Sequence, residues 1–214
     1  MSEQELEKLI EENMLMQTVD MEIGLQVAEK IREIAERENT RFAIAGGLAM
    51  HLYGFERATK DVDFLADKRL SLEAKRHLTF GGERYQLKIE NREIDIDWII
   101  RRDKYKEIYQ KALADAVEVK GWKILSPEWL VILKYIAGRG KDRLDLLWLL
   151  QQKKLVNRKK IKNNLVKLLG DLGSTGFLVG LQREYDLADV MARRSGDENE
   201  SYIPDEDEYP EYNE

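Results

Sequence analysis

Cysteine is absent from the 214-residue chain, and only two histidines and three prolines occur. Without cysteine there is neither a disulfide framework nor a thiolate zinc site, and a reducing compartment suits the composition. Two histidines exclude a histidine-rich metal centre. Long apolar runs are missing too. The longest apolar stretches, such as LDLLWLL at residues 144–150, are far shorter than the ~20 residues that span a bilayer. The opening segment MSEQELEKLIEENMLMQ is charged and amphipathic and has no apolar signal-peptide core. These absences predict a soluble, cytoplasmic protein with no membrane partner.

Basic residues are missing from the acidic end of the sequence. Residues 195–214 (SGDENESYIPDEDEYPEYNE) hold nine of the 41 acidic side chains and none of the 35 basic ones, so the net charge of −6 hides a slightly basic remainder. Too polar to bury a core, that tail is expected to be disordered. In contrast, KKLVNRKKIKNNLVK (residues 153–167) has seven basic residues and no acidic one. Such a run is either a solvated helix face or a surface for phosphate backbones.

What is present reads as α+β. Apolar Ile23, Val27, Ile31 and Ile34 recur at helical spacing in residues 20–38, and residues 2–15 read as another amphipathic helix. RFAIAG is a short strand that ends at Gly46-Gly47, and LAMHLYG a short helix. DVDFLA is a strand with Asp61 and Asp63 on one face and Val62 and Phe64 on the other. ERYQLKIE and REIDIDWII alternate in the same way, predicting a hairpin about Asn91-Arg92 that buries Tyr85, Leu87, Ile89, Ile94, Ile96 and Trp98 and turns Asp95 and Asp97 outward. Helices are expected over 103–115, 127–138, 141–152, 158–169 and 174–194. His51, Trp122, Trp129 and Trp148 read as packed side chains. The organisation expected is a core with N-terminal helices over 1–120, a C-terminal helical region over 121–194 and the acidic tail over 195–214.

The chemistry lies in the order of these pieces. A strand that runs into Gly-Gly and a helix exposes backbone N–H groups where a triphosphate can approach closely. Two carboxylates at i and i+2 on a strand project to one side, an arrangement suited to hard divalent cations, and a later strand supplies further candidates in Asp95 and Asp97. Solvent-facing strand acids are the plainer reading of each pair alone. For Asp142 and Asp145 the plainer reading is an exposed helix face or a cap at the helix start, and for Arg57 a surface ion pair.

Ala45-Gly46-Gly47, Asp61-Val62-Asp63-Phe64 and Ile94-Asp95-Ile96-Asp97, taken in this order over residues 41–100, resemble the polymerase-beta-like nucleotidyltransferase superfamily. SPEWLVILKYIAGRGKDRLDLLWLL (126–150) resembles the corresponding region of AbiEii-type toxins and related small nucleotidyltransferases, through Lys134, Arg139, Lys141-Asp142 and Asp145. The resemblance implies a small mixed β-sheet flanked by helices. It implies two Mg²⁺ ions, or Mn²⁺ in their place, on Asp61, Asp63 and Asp95, with Asp97 in reserve as third ligand. One of the two later carboxylates would also take the proton of the attacking hydroxyl. Gly46 and Gly47 would hold the β- and γ-phosphates of a nucleoside triphosphate, and Lys134 and Arg57, with Asp142 nearby, would complete nucleotide binding and catalysis. Expected partners are the triphosphate, an RNA (tRNA included) or protein acceptor, and the antitoxin that a toxin implies. Two other classes fit the same residues: a non-catalytic protein that binds nucleotide or a partner, and a small-molecule (antibiotic) nucleotidyltransferase.

Overall fold

The computed structural model describes residues 19–55 and 57–194. They form two compact units that meet in sequence at Leu125–Ser126. The first unit is built on a mixed sheet. Helix α1 (Met21–Arg37) is followed by β1 (Phe42–Ile44), α2 (Gly46–Leu52), β2 (Asp61–Ala66), β3 (Arg76–His77), β4 (Gly82–Ile89), β5 (Arg92–Ile99), α3 (Lys106–Ala114), β6 (Val117–Val119) and β7 (Trp122–Ile124). Across the sheet the order is β3-β4-β5-β2-β1-β7-β6.

Asp20 caps α1 by accepting from the Ile23 N–H at 2.9 Å, and Ile23, Val27, Ile31 and Ala35 are buried at helical spacing. α1 packs on α2 and β4, and α3 on β2. The sheet core is aromatic: Phe42, Phe64 and Trp98 lie with ring centroids 5.6–5.8 Å apart, and the Trp98 indole N–H donates to the Lys68 carbonyl at 2.8 Å.

The β4–β5 hairpin forms with the predicted alternation, but its turn lies at Glu90-Asn91, one residue before the expected place, with Ile89 paired to Arg92. Glu90 takes a left-handed φ of 53° there. Tyr85, Ile89, Ile94, Ile96 and Trp98 are buried, whereas Leu87 is half-buried. β3, β6 and β7, of two or three residues each, are too short for any periodicity to announce them.

The second unit is helical among its described residues: α4 (Pro127–Ala137), α5 (Gly140–Gln151) and α6 (Arg158–Arg194). Ser126 caps α4, Pro127 occupies its first turn, and Gly138 ends it in the left-handed conformation (φ 63°). α6 is two helical runs broken at Gly170 (φ 70°, ψ 172°), matching the two separate helices expected. Its runs fold back on each other: Arg158 donates to both Asp189 carboxylate oxygens (2.9 and 2.7 Å) and stacks on the Tyr185 ring. No helix among the described residues is long and apolar enough to cross a membrane. The predicted helix over 2–15 and the acidic tail lie outside the described residues.

Candidate active site

Strand pairing builds the site. β2 and β5 run parallel with Asp61 beside Asp95 and Asp63 beside Asp97, so four carboxylates from two distant segments share one sheet face. The alternate residues Val62, Phe64, Ile94, Ile96 and Trp98 are buried on the other face. Neither strand's alternation can change without exchanging core for carboxylate.

The glycine turn is pressed against this face. The Ala45 N–H donates to the Asp63 carbonyl at 2.9 Å, and Gly46 takes φ +54°. A Cβ on Gly46 would stand 1.7 Å from Asp63 Oδ2, and one on Gly47 would stand 2.7 Å from Thr59 Oγ1. Only glycine fits at the first position, on both conformation and space. Thr59 Oγ1 in turn donates to the Asp61 carbonyl at 3.1 Å, joining the turn to the first carboxylate. Buried His51 holds the loop carrying Arg57, because its Nε2 hydrogen-bonds the Arg57 backbone. The Arg57 guanidinium donates to the Ala58 carbonyl at 3.1 Å.

Arg84 was not foreseen. On β4, directly opposite Asp97, it extends its guanidinium into the middle of the carboxylates. Nε and Nη2 donate to the two oxygens of Asp97 (2.6 and 2.8 Å), Nη2 also to Asp61 (3.1 Å), and Nη1 to Asp95 (3.1 Å). The Asp97 hydrogen bond is the largest cause of a guanidinium pKa raised above its already high value. Burial opposes it, and the charges of Asp97, Asp61 and Asp95 add to it. Asp95 also accepts from Lys75 (3.1 Å) and from the Gln86 amide (3.0 Å). On the opposite face of β4, buried Glu83 accepts from the Tyr85 hydroxyl at 2.5 Å and from Arg69 at 3.0 Å. Burial first, and then that bond to Glu83, raise the Tyr85 pKa.

The donor set fits a hard divalent cation chemically, since every group is a carboxylate and three of them converge on one positive centre. Among the described residues, however, no three acidic or histidine side chains stand grouped as a metal site. The point of convergence belongs to Arg84.

Lys134 and Asp142 belong to the second unit. Buried Lys134 donates to Asp142 (3.2 Å) and to Asp145 (2.6 Å), and Arg139 closes on Asp142 from the start of α5. Both acids are fully buried, which overturns the exposed-face reading for this pair. Burial works to raise the Asp142 pKa, but the Arg139 hydrogen bond and the Lys134 charge prevail and lower it. Of the tryptophans, Trp129 is core, while Trp122, under the Arg32 guanidinium, and Trp148 are half-buried.

Residues 24–169, which hold the sheet, the four carboxylates and helices α4 and α5, match the family described as "Nucleotidyltransferase of unknown function (DUF6036)". The chain belongs to this nucleotidyltransferase family. Among solved structures it is similar to an antigenic nucleotidyltransferase-like protein from Paracoccidioides brasiliensis, at 16% identity and a TM-score of 0.41 over 71% of this chain and 90% of that one. No curated protein matches it closely enough to count as a relative. The family match spans both sequence segments singled out above, the glycine–carboxylate stretch and SPEWLVILKYIAGRGKDRLDLLWLL.

Proposed function

We propose that the chain transfers a nucleoside monophosphate from a nucleoside triphosphate to an acceptor hydroxyl, on an RNA 3′ end or a protein side chain, in a Mg²⁺-dependent reaction. The observation that carries this reading is the parallel register of β2 and β5, with Asp61 beside Asp95 and Asp63 beside Asp97. Asp61, Asp63 and one β5 carboxylate, Asp95 before Asp97, would hold the ions. Ions held there would supply charge to neutralise the triphosphate and to ease deprotonation of the acceptor hydroxyl.

The chain's own groups do the rest. A β5 carboxylate takes the proton of the attacking hydroxyl. As the acceptor oxygen bonds to the α-phosphorus, the bond from that phosphorus to the bridging oxygen of pyrophosphate breaks in line. The Gly46-Gly47 turn presents backbone rather than side chain to the phosphates, and Arg57, on the loop that His51 holds, would add its charge to the triphosphate site. The likeness of residues 126–150 to AbiEii-type toxins favours a toxin of a toxin–antitoxin or phage-defence system, paired with an antitoxin, as the setting.

The test is incubation with each labelled triphosphate, Mg²⁺ and separated RNA and protein fractions. Label should enter one fraction with the wild-type chain and be lost with Asp61→Asn or Asp63→Asn at an unchanged melting temperature. Full transfer by Asp63→Asn would sink the assignment. No labelled fraction with any triphosphate would favour a non-catalytic binder instead.

A further inference from the structure

We propose that Arg84 is the resident counter-ion of the carboxylate cluster and that a divalent cation enters only by displacing its guanidinium, so that Arg84 sets the cation concentration at which the site fills. The inference rests on the metal-dependent reading above in one respect, that these carboxylates take a divalent cation.

Three observations carry it. Arg84 makes a four-bond fork to three carboxylates of two strands, and among the described residues no other side chain is hydrogen-bonded to Asp61, Asp95 and Asp97 together. The guanidinium and the three carboxylates it holds are part-buried, at 17% side-chain exposure for Arg84 and 13–26% for the acids, so the attraction is only partly screened. The oxygens that would have to turn toward a metal ion are those already hydrogen-bonded to Arg84.

Arg84 sits at the common focus of the three carboxylates, where a dication and a guanidinium cannot both reside at contact distance. With Lys75 on Asp95, two cations already serve three carboxylates, so removing one of them exposes negative charge rather than an apolar gap.

Mn²⁺ binding, followed by the loss of its free-ion electron paramagnetic resonance signal, tests this without any turnover. Arg84→Gln removes the charge and keeps a polar side chain. It should bind Mn²⁺ about tenfold more tightly or better than the wild-type chain, each tenfold being ~1.4 kcal/mol of relieved competition. Arg84→Lys, which keeps the charge but loses the fork, should lie between them. Equal or weaker binding by a folded Arg84→Gln chain overturns the proposal and leaves the metal reading intact. Binding by neither chain overturns both. Tight binding by Arg84→Gln alone supports the proposal in its strongest form.

Should Arg84→Gln fail to fold, the wild-type chain still decides. The Arg84 Nε–H resonance should be protected from exchange without metal and lose that protection as Mg²⁺ is titrated in. A resonance still protected at saturating Mg²⁺ overturns the proposal.

Discussion

At the scale of single residues, the site depends on one side chain that is missing and one that was not anticipated. Gly46 is the missing one. Alanine there would bring about 1–2 kcal/mol of left-handed backbone strain, to which its Cβ, 1.7 Å from Asp63 Oδ2, adds a clash that only movement of the turn or of the carboxylate relieves. Gly46→Ala is therefore expected to lose at least about 2 kcal/mol in urea unfolding. Gly54→Ala has a positive φ but open space around it, so it should lose the strain alone. Equal losses for the two variants would show that the Asp63 contact yields without resistance. Arg84 is the unanticipated one, and the reason lies in the hairpin. Placing the turn at Asn91-Arg92 rather than Glu90-Asn91 shifts each residue's partner by two, which preserves the face of every side chain but sets Gln86, not Arg84, across from Asp97. Alternation was legible from the sequence. Partnership was not, because a two-residue slip leaves the apolar pattern unchanged.

At the scale of elements, long periodic segments were readable, as were the short β1 and α2 on either side of the Gly46-Gly47 turn, whereas β3, β6 and β7 were not. α1, α4, α5, β2, the β4–β5 hairpin and both runs of α6 follow from apolar spacing, and the structure puts Gly138 and Gly170, both at positive φ, at the expected helix ends. β3, β6 and β7 draw their identity from neighbours in the sheet, which a local pattern cannot convey. The α4–α5 junction shows the same limit for charge, since the sequence does not distinguish a solvated Asp142 from a buried one. Here Lys134 ties α4 to Asp142 and Asp145 of α5. Lys134→Met would leave two buried carboxylates without that cation and is expected to destabilise the chain by about 3–5 kcal/mol. The pH dependence follows from the lowered Asp142 pKa. In the folded chain this carboxyl releases its proton more readily than in the unfolded one, so its contribution is fully present above the ordinary aspartate value of about 3.9 and fades as pH falls below it. Chemical unfolding between about pH 5 and pH 2 should show a shallower acid loss in Asp142→Asn than in the wild-type chain. Parallel curves would remove Asp142 from the account.

At the scale of the whole molecule, charge is segregated along the chain, with seven basic residues between Lys153 and Lys167 and nine acids after residue 194. Two of the basic residues are engaged in the second unit, Arg158 with Asp189 and Lys160 with Glu128, while Lys153, Lys154, Lys159 and Lys167 are exposed. If the acidic segment competes with phosphate backbones for them, deleting residues 195–214 should tighten RNA binding at low salt. The gain should shrink at moderate salt, as the screening length falls from about 30 Å at 0.01 M to about 8 Å at 0.15 M. Affinity unchanged at both salts would reduce the segment to a solubiliser. The parallel ladder of β2 and β5 has a different reach, because it makes membership of the site a matter of odd and even. One residue inserted within β5 ahead of Asp95 would carry both of its acids to the side now held by isoleucine and tryptophan, and those into the open. Any number inserted near exposed Glu73, outside the paired strands, leaves the parity untouched. The link from β2 to β3 can therefore grow or carry a graft around Glu73 while the four carboxylates stay in place. The strands themselves admit no change of length by one.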